Sequence, residues 1–194
     1  MLNKVQKVLL ALVLVAAITA GILALQNSQP AGENSSTGPG PGAGSDKQGE
    51  TARDLVLYFS DDQAMYLLPE RRKVAVGKGE TTEQVIIKEL IKGPSDPSLK
   101  RTIPPETAIL SLSVENGVAS VDFSKGIQDS RYGGSAGESM LIYSIVNSLA
   151  QLPEINQVQI LVEGKKIESL YGHIGIIRPL SPNPGLIGES GRIQ

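Results

Sequence analysis

Few side chains in this 194-residue sequence have the types and spacing that bond-making chemistry needs. His173 is the only histidine, and nothing in the sequence nominates the partners that a metal site or a general base would require. Beside Gly172 it reads as a loop residue. Gly137-Glu138-Ser139 begins like the G-x-S-x-G elbow that presents a nucleophilic serine, but Leu141 stands where the second glycine belongs. The run Tyr132-Gly133-Gly134-Ser135-Ala136-Gly137 leaves a strand and enters a helix, the place where backbone amides cradle a phosphate. It lacks the lysine and hydroxyl of a P-loop, and Glu138 puts a negative charge where the anion would sit. Asp61-Asp62 lies in a turn without calcium-ligand spacing, and the absence of cysteine excludes thiolate metal sites and disulfides. Arg71-Arg72-Lys73 reads as a solvated strand segment, with contact to anionic headgroups or wall polymer as its functional alternative. No catalytic, cofactor-binding or metal residue is therefore assigned, and the expectation is a protein that is not an enzyme.

A different kind of signal comes from the stretch Ser139 to Pro153, which carries no charge. Exposed helix faces normally hold several Lys, Glu or Arg, whereas charge-poor surfaces with an aromatic resemble protein interfaces. Tyr143, Ser144, Asn147, Ser148 and Gln151 fall on the side taken as outward, so they form the candidate interface. The alternative is a neutral but solvated face.

The elements that would position these residues follow from periodicity. Leu55 to Phe59 is a buried-strand run, and Met65 to Leu68 and then Lys73 to Val76 return along it, bent at Pro69. Thr81 or Thr82 caps a first helix with Ile86, Ile87, Leu90 and Ile91 as its apolar stripe, stopped by Gly93-Pro94. Ile109 to Glu115 and Val118 to Phe123 form a hairpin about Asn116-Gly117, with Val118, Ser120, Asp122 on one face and Ala119, Val121, Phe123 on the other. Ser135, with Glu138 three residues on, reads as the capping box of a second helix whose stripe is Ile142, Ile145, Val146 and Leu149. Val158, Ile160 and Val162 alternate as a last strand, and Ile167 to Leu170 pairs back on it after a turn at Gly164. The order β-β-α-β-β-α-β predicts an α+β fold with two helices on one face of a mixed or antiparallel sheet.

In front of this lies an apolar run, Val8 to Leu25, preceded by Lys4 and Lys7 and followed by no charge until Glu33. A membrane-crossing helix needs about 20 apolar residues. The run is read as an N-terminal transmembrane helix with the domain on the extracytoplasmic side; a cleaved secretory signal, leaving a secreted domain, is the alternative. The organisation is then 1–25 anchor or signal, 26–52 linker rich in Gly, Pro and Ser, 54–180 folded domain, and 181–194 flexible tail. A coil of the linker's length spans roughly 25–30 Å, so it tethers the domain close to the membrane. A net charge of -2 leaves no basic footprint for nucleic acid, and only 4% aromatics leave the core to Ile, Leu and Val.

The segments L-Y-F-S-D-D-Q-A-M-Y-L-L-P-E-R-R-K-V, E-L-I-K-G-P, T-I-P-P-E-T-A-I-L-S-L-S-V-E-N-G-V-A-S-V-D-F-S and L-A-Q-L-P-E-I-N-Q-V-Q-I-L-V-E-G, in this order, resemble the GerMN domain family of sporulation and spore-germination proteins. The resemblance covers about Asp54 to Leu180. It implies a non-enzymatic, membrane-attached extracytoplasmic protein of endospore formers, whose domain is similar to the ring-building modules of secretion systems. The sporulation protein that typifies the family carries a lipid anchor and a pair of such domains; here one domain is found, and the Val8–Leu25 run would take the place of the lipid. The expected role is a scaffold or interaction module in sporulation or germination, without cofactor, whose partners are the membrane, other envelope proteins or a second copy. A module binding wall glycan or peptide is the alternative.

Overall fold

A computed structural model describes residues 51–129 and 134–188. The Val8–Leu25 run, the linker up to Glu50 and the residues beyond Gly188 lie outside the described residues.

Leu55, Leu57 and Phe59 alternate on the buried face of β1 (Thr51–Ser60), which pairs antiparallel with β2 (Leu67–Val76) from Thr51 opposite Val76 to Ser60 opposite Leu67. Pro69 was expected to bend the return strand, yet β2 is continuous through it. The reason is its ladder position. Tyr58 stands opposite Pro69 and donates its amide to Ser148 Oγ at 3.0 Å, away from β2. That pair is of the non-hydrogen-bonded kind, so the N–H that proline lacks would have pointed out of the ladder.

Helix α1 (Thr82–Lys92) starts with a capping box: Thr81 Oγ1 accepts from the Gln84 amide at 3.3 Å, and Gln84 Oε1 accepts from the Thr81 amide at 3.0 Å. Gly93 ends it at φ 91°, a conformation that suits glycine. Val85, Ile86, Ile87 and Leu90 are buried. The hairpin of β3 (Ile109–Glu115) and β4 (Val118–Phe123) turns at Asn116 (φ 52°) and Gly117 (φ 80°), both positive as a type I′ turn demands. As the alternation predicts, Ala119, Val121 and Phe123 have no exposure.

Helix α2 (Ser135–Leu149) then crosses over to β5 (Gln157–Val162), which pairs with β4 in parallel, Val121 opposite Ile160. The element order is the one expected and the fold is α+β, but the single sheet is in fact two: β1-β2, and the mixed sheet β3-β4-β5. The outer edge of β1 is closed to a further strand at its end, where Tyr58 is bonded to Ser148 and Ser60 exchanges bonds with Lys100 of 3.2 and 2.8 Å. Ile167 to Leu170 does not pair back on β5. Leu180 takes that edge instead, exchanging bonds of 2.9 and 2.8 Å with Val158.

Both sheets and α1 pack on α2, and ten of its residues are buried: Glu138, Met140, Leu141, Ile142, Ser144, Ile145, Val146, Asn147, Ser148 and Leu149. A helix buried around most of its circumference carries few charges because each would need a partner inside the protein. The residues 181–188, expected as part of a flexible tail, are fastened to it. The Asn183 amide donates to Asn147 Oδ1 at 2.9 Å, Asn147 Nδ2 donates to the Asn183 carbonyl at 3.1 Å, and Gly188 N–H reaches the Leu67 carbonyl at 3.0 Å.

Candidate functional site

The five residues read as an outward interface are not an outward face. Ser144 and Ser148 have no exposure and Asn147 has 1%. Ser144 Oγ donates to Thr102 Oγ1 at 2.8 Å and lies 2.9 Å from the Leu141 carbonyl; Ser148 caps the Tyr58 amide; Asn147 holds the 181–188 segment. Tyr143 is half-buried against the core, and only Gln151 is exposed. The missing charge therefore has an internal cause: these hydroxyls and the amide satisfy backbone and side-chain groups inside the domain.

Glu138 is the larger surprise. The helix begins at Gly134 with no side-chain cap, so the capping box built on Ser135 and Glu138 does not form. The Glu138 carboxylate has no exposure and points into the segment after β5. One oxygen accepts from the amides of Leu170 (3.0 Å) and Tyr171 (2.9 Å), the other from His173 (2.8 Å) and Ile174 (3.3 Å). Four amide dipoles converge on one buried carboxylate, which also lies in the first turn of α2, at the positive end of the helix dipole. Asp122 does the same on a smaller scale, accepting from the Gly164 amide at 2.8 Å. The Ile167–Leu170 stretch is drawn off β5 by these bonds. His173 itself is exposed and contributes its backbone, not its ring.

Arg72 is also misread by the sequence pattern. Its neighbours Arg71 and Lys73 are exposed, but the Arg72 side chain is only 9% exposed. Its guanidinium bonds Glu70 at 2.5 Å, Glu89 at 2.7 Å and the carbonyls of Glu89 (3.3 Å) and Gly93 (2.6 Å), and it lies over the Phe59 ring at 5.3 Å. Arg101 adds bonds to the Ile91 and Lys92 carbonyls. Two cations thus close the C-terminal end of α1, where orphan carbonyls collect partial negative charge. Burial pushes the Glu70 carboxyl up, but the Arg72 guanidinium and the amides of Asp96 and Ser95 outweigh it and hold its pKa below the usual carboxylate value. Glu70, two residues before Arg72 on the same face of a strand, could have flagged that pair; nothing local announces Glu89.

Asp61 completes a turn, accepting from the amides of Met65 at 2.8 Å and Tyr66 at 3.2 Å, and Asp62 is exposed. Of the glycine-rich run, Tyr132 and Gly133 lie outside the described residues. Among the described residues, no three His, Asp or Glu side chains are placed to hold a metal ion. No helix among them is long and apolar enough to cross a membrane.

What the domain leaves open is backbone. Ladder phase is fixed at one end by Tyr58 and Ser60, whose amides point away from β2, so Ala52, Asp54 and Val56 direct theirs the same way. Their opposite numbers Ala75, Lys73 and Arg71 face out from the other edge. No bond among the described residues engages these six amides, and an open cleft of about 440 Å³ lies along the β2 edge, between Lys73, Val74, Ala75 and α1 residues Val85, Glu89 and Lys92.

The family model described as Germane, sporulation and spore germination, matches residues 56–168, more than half of the sequence. Among solved structures, a protein of Clostridium perfringens assigned as a lipoprotein is 26% identical with a TM-score of 0.50, over 72% of this chain and 93% of that one. The tandem GerMN domains of the sporulation protein GerM from Bacillus subtilis are 19% identical with a TM-score of 0.54, over 77% of this chain and 51% of that one. The first GerMN domain of the same protein is 18% identical with a TM-score of 0.51, over 68% and 96%. These last two likenesses speak to the fold, and the chain spans about half of the tandem structure. No curated protein gives a significant match.

Proposed function

The chain belongs to the Germane family of sporulation and spore-germination proteins, and we propose that its domain is a non-enzymatic docking module held at the outer surface of a membrane. One observation carries this reading: the groups with the strongest chemistry, Arg72 and Glu138, are consumed as internal fasteners, while strand edges are left without a partner among the described residues. A buried carboxylate bonded to four amides has no lone pair directed at a substrate, and a guanidinium shared between two carboxylates and two carbonyls has little donor capacity left. Open backbone, by contrast, is a template for another chain. The Val8–Leu25 run supplies the anchor and the linker the reach, in keeping with the lipoprotein assignment of the Clostridium perfringens relative.

Crosslinking of the full chain in membranes from sporulating and vegetative cells, read by mass spectrometry, tests this. The expected result is crosslinks between residues of the 51–188 domain and another envelope protein, concentrated in sporulating cells. A domain recovered without protein partners, or one that is retained on purified wall material or turns over a substrate, would overturn the reading.

A further inference from the structure

Resting on that docking role, we infer that the outer edge of β2 is the docking site and that its partner is an extended segment alternating acidic and apolar residues, added as a third strand to the β1-β2 sheet. Position along the edge decides where such a strand can lie. At the start of β2 the edge is taken: Ile187 bridges Leu67 and the Gly188 amide bonds the Leu67 carbonyl at 3.0 Å. Pro69 has no N–H to offer next. Beyond it, Arg71, Lys73 and Ala75 present both amide and carbonyl outward, without a partner among the described residues. This is the donor and acceptor row that strand addition uses.

Side chains on the two faces of that row state what would fit. Residues opposite in the ladder share a face, so Arg71 and Lys73, both exposed, lie on the face away from Arg72. The cleft face offers Val74 and Val85, with Lys92 (72% exposed) at its rim. Its remaining charges are already matched: Arg72 to Glu70 and Glu89, with Lys92 Nζ at 3.5 Å from Glu89. Arg71 and Lys73 form no ion pair among the described residues, although Asp54 stands opposite Lys73 in the ladder, so the charge along the β2 edge itself is positive and sits on one face. An incoming strand has side chains with period two, so carboxylates beside Arg71 and Lys73 put the intervening residues over Val74 and Val85. The β1 edge has no such asymmetry: Arg53 and Asp54, of opposite charge, are both exposed there.

The full chain in detergent micelles, mixed with a synthetic peptide of alternating valine and glutamate, tests the inference by backbone hydrogen exchange and by titration. Expected are slowed exchange at the amides of Arg71, Lys73 and Ala75, and weaker binding of valine–lysine and scrambled peptides. Ala75→Pro, which keeps every charge but removes one outward donor, should weaken binding roughly fivefold. Lys73→Glu should weaken it by about the same factor at low salt, and less at high salt. Protection at Ala52, Asp54 and Val56 instead would overturn the assignment. So would amides already slow without peptide and released by truncation after Gly188, which would make residues 189–194 the occupant, or protection that rises with protein concentration, which would make it a second copy. Undiminished crosslinking to an envelope partner in Ala75→Pro would sink the β2 edge while leaving the docking role standing.

Discussion

Two ends of the domain each bury a charge, and they satisfy it differently. At the α1 end, Arg72 is met by two carboxylates and by carbonyls of a helix C-terminus. At the α2 end, the Glu138 carboxylate is met by four backbone amides and by a helix N-terminus. Ion pairing joins side chains of one strand, β2, to the helix α1, two elements whose backbones are already formed. Amide solvation does something else: it determines the path of an irregular segment that has no ladder of its own. The Arg72 cluster is thus a clasp between finished elements, whereas Glu138 is the template around which residues 170–174 are folded.

The sharpest way to break this contrast is Glu138→Ala. It leaves four amides without acceptors in a site with no exposure, and a loss of about 3–5 kcal/mol is expected in urea unfolding. Glu138→Gln keeps one accepting oxygen and should cost about 1–3 kcal/mol. If Glu138 is a template, hydrogen exchange in the glutamine variant will speed up first at Leu170 to Ile174, before the sheets loosen; uniform loosening would show it to be a general core residue.

Arg72→Met should cost less, about 2–4 kcal/mol, because the stranded carboxylates are 11% and 18% exposed and can recruit water. Its exchange signature should lie at the α1 C-terminus and β2, with Leu170 to Ile174 unaffected. An equal effect on both regions would erase the distinction between clasp and template.

The smallest effect is on pH dependence. Glu70 has its pKa lowered in the folded state, so the unfolded state binds more protons as the pH falls. Its contribution is complete above the ordinary value of 4.5 and is lost as the pH drops through the folded value. Glu70→Gln should flatten that acid limb of the stability curve, measured by urea unfolding at a series of pH values. An unchanged slope would mean that the Arg72 clasp does not hold Glu70 in its charged form.

Much of the fold was legible because it rests on local rules. The Asn116-Gly117 turn, the Thr81–Gln84 cap, the Gly93 stop and the alternation of Ala119, Val121 and Phe123 are each decided within a few residues. The candidate interface failed because an uncharged helix has two explanations, a face that meets another protein or one that meets its own. Only the position of Tyr58, Thr102 and Asn183 around Ser148, Ser144 and Asn147 separates them. Glu138 failed for the same reason: three residues after Ser135 it fits a capping box, and its true partners lie more than thirty positions away.

The sequence by itself determined the family, the element order and the absence of cysteine chemistry, since periodicity, turn residues and composition act over short range. Tertiary structure alone decided that one sheet would be two, that Arg72 and Glu138 would be interior, and which strand edges would stay open. Those outcomes depend on which distant group desolvates a charge or claims a backbone amide, and no local pattern encodes that choice.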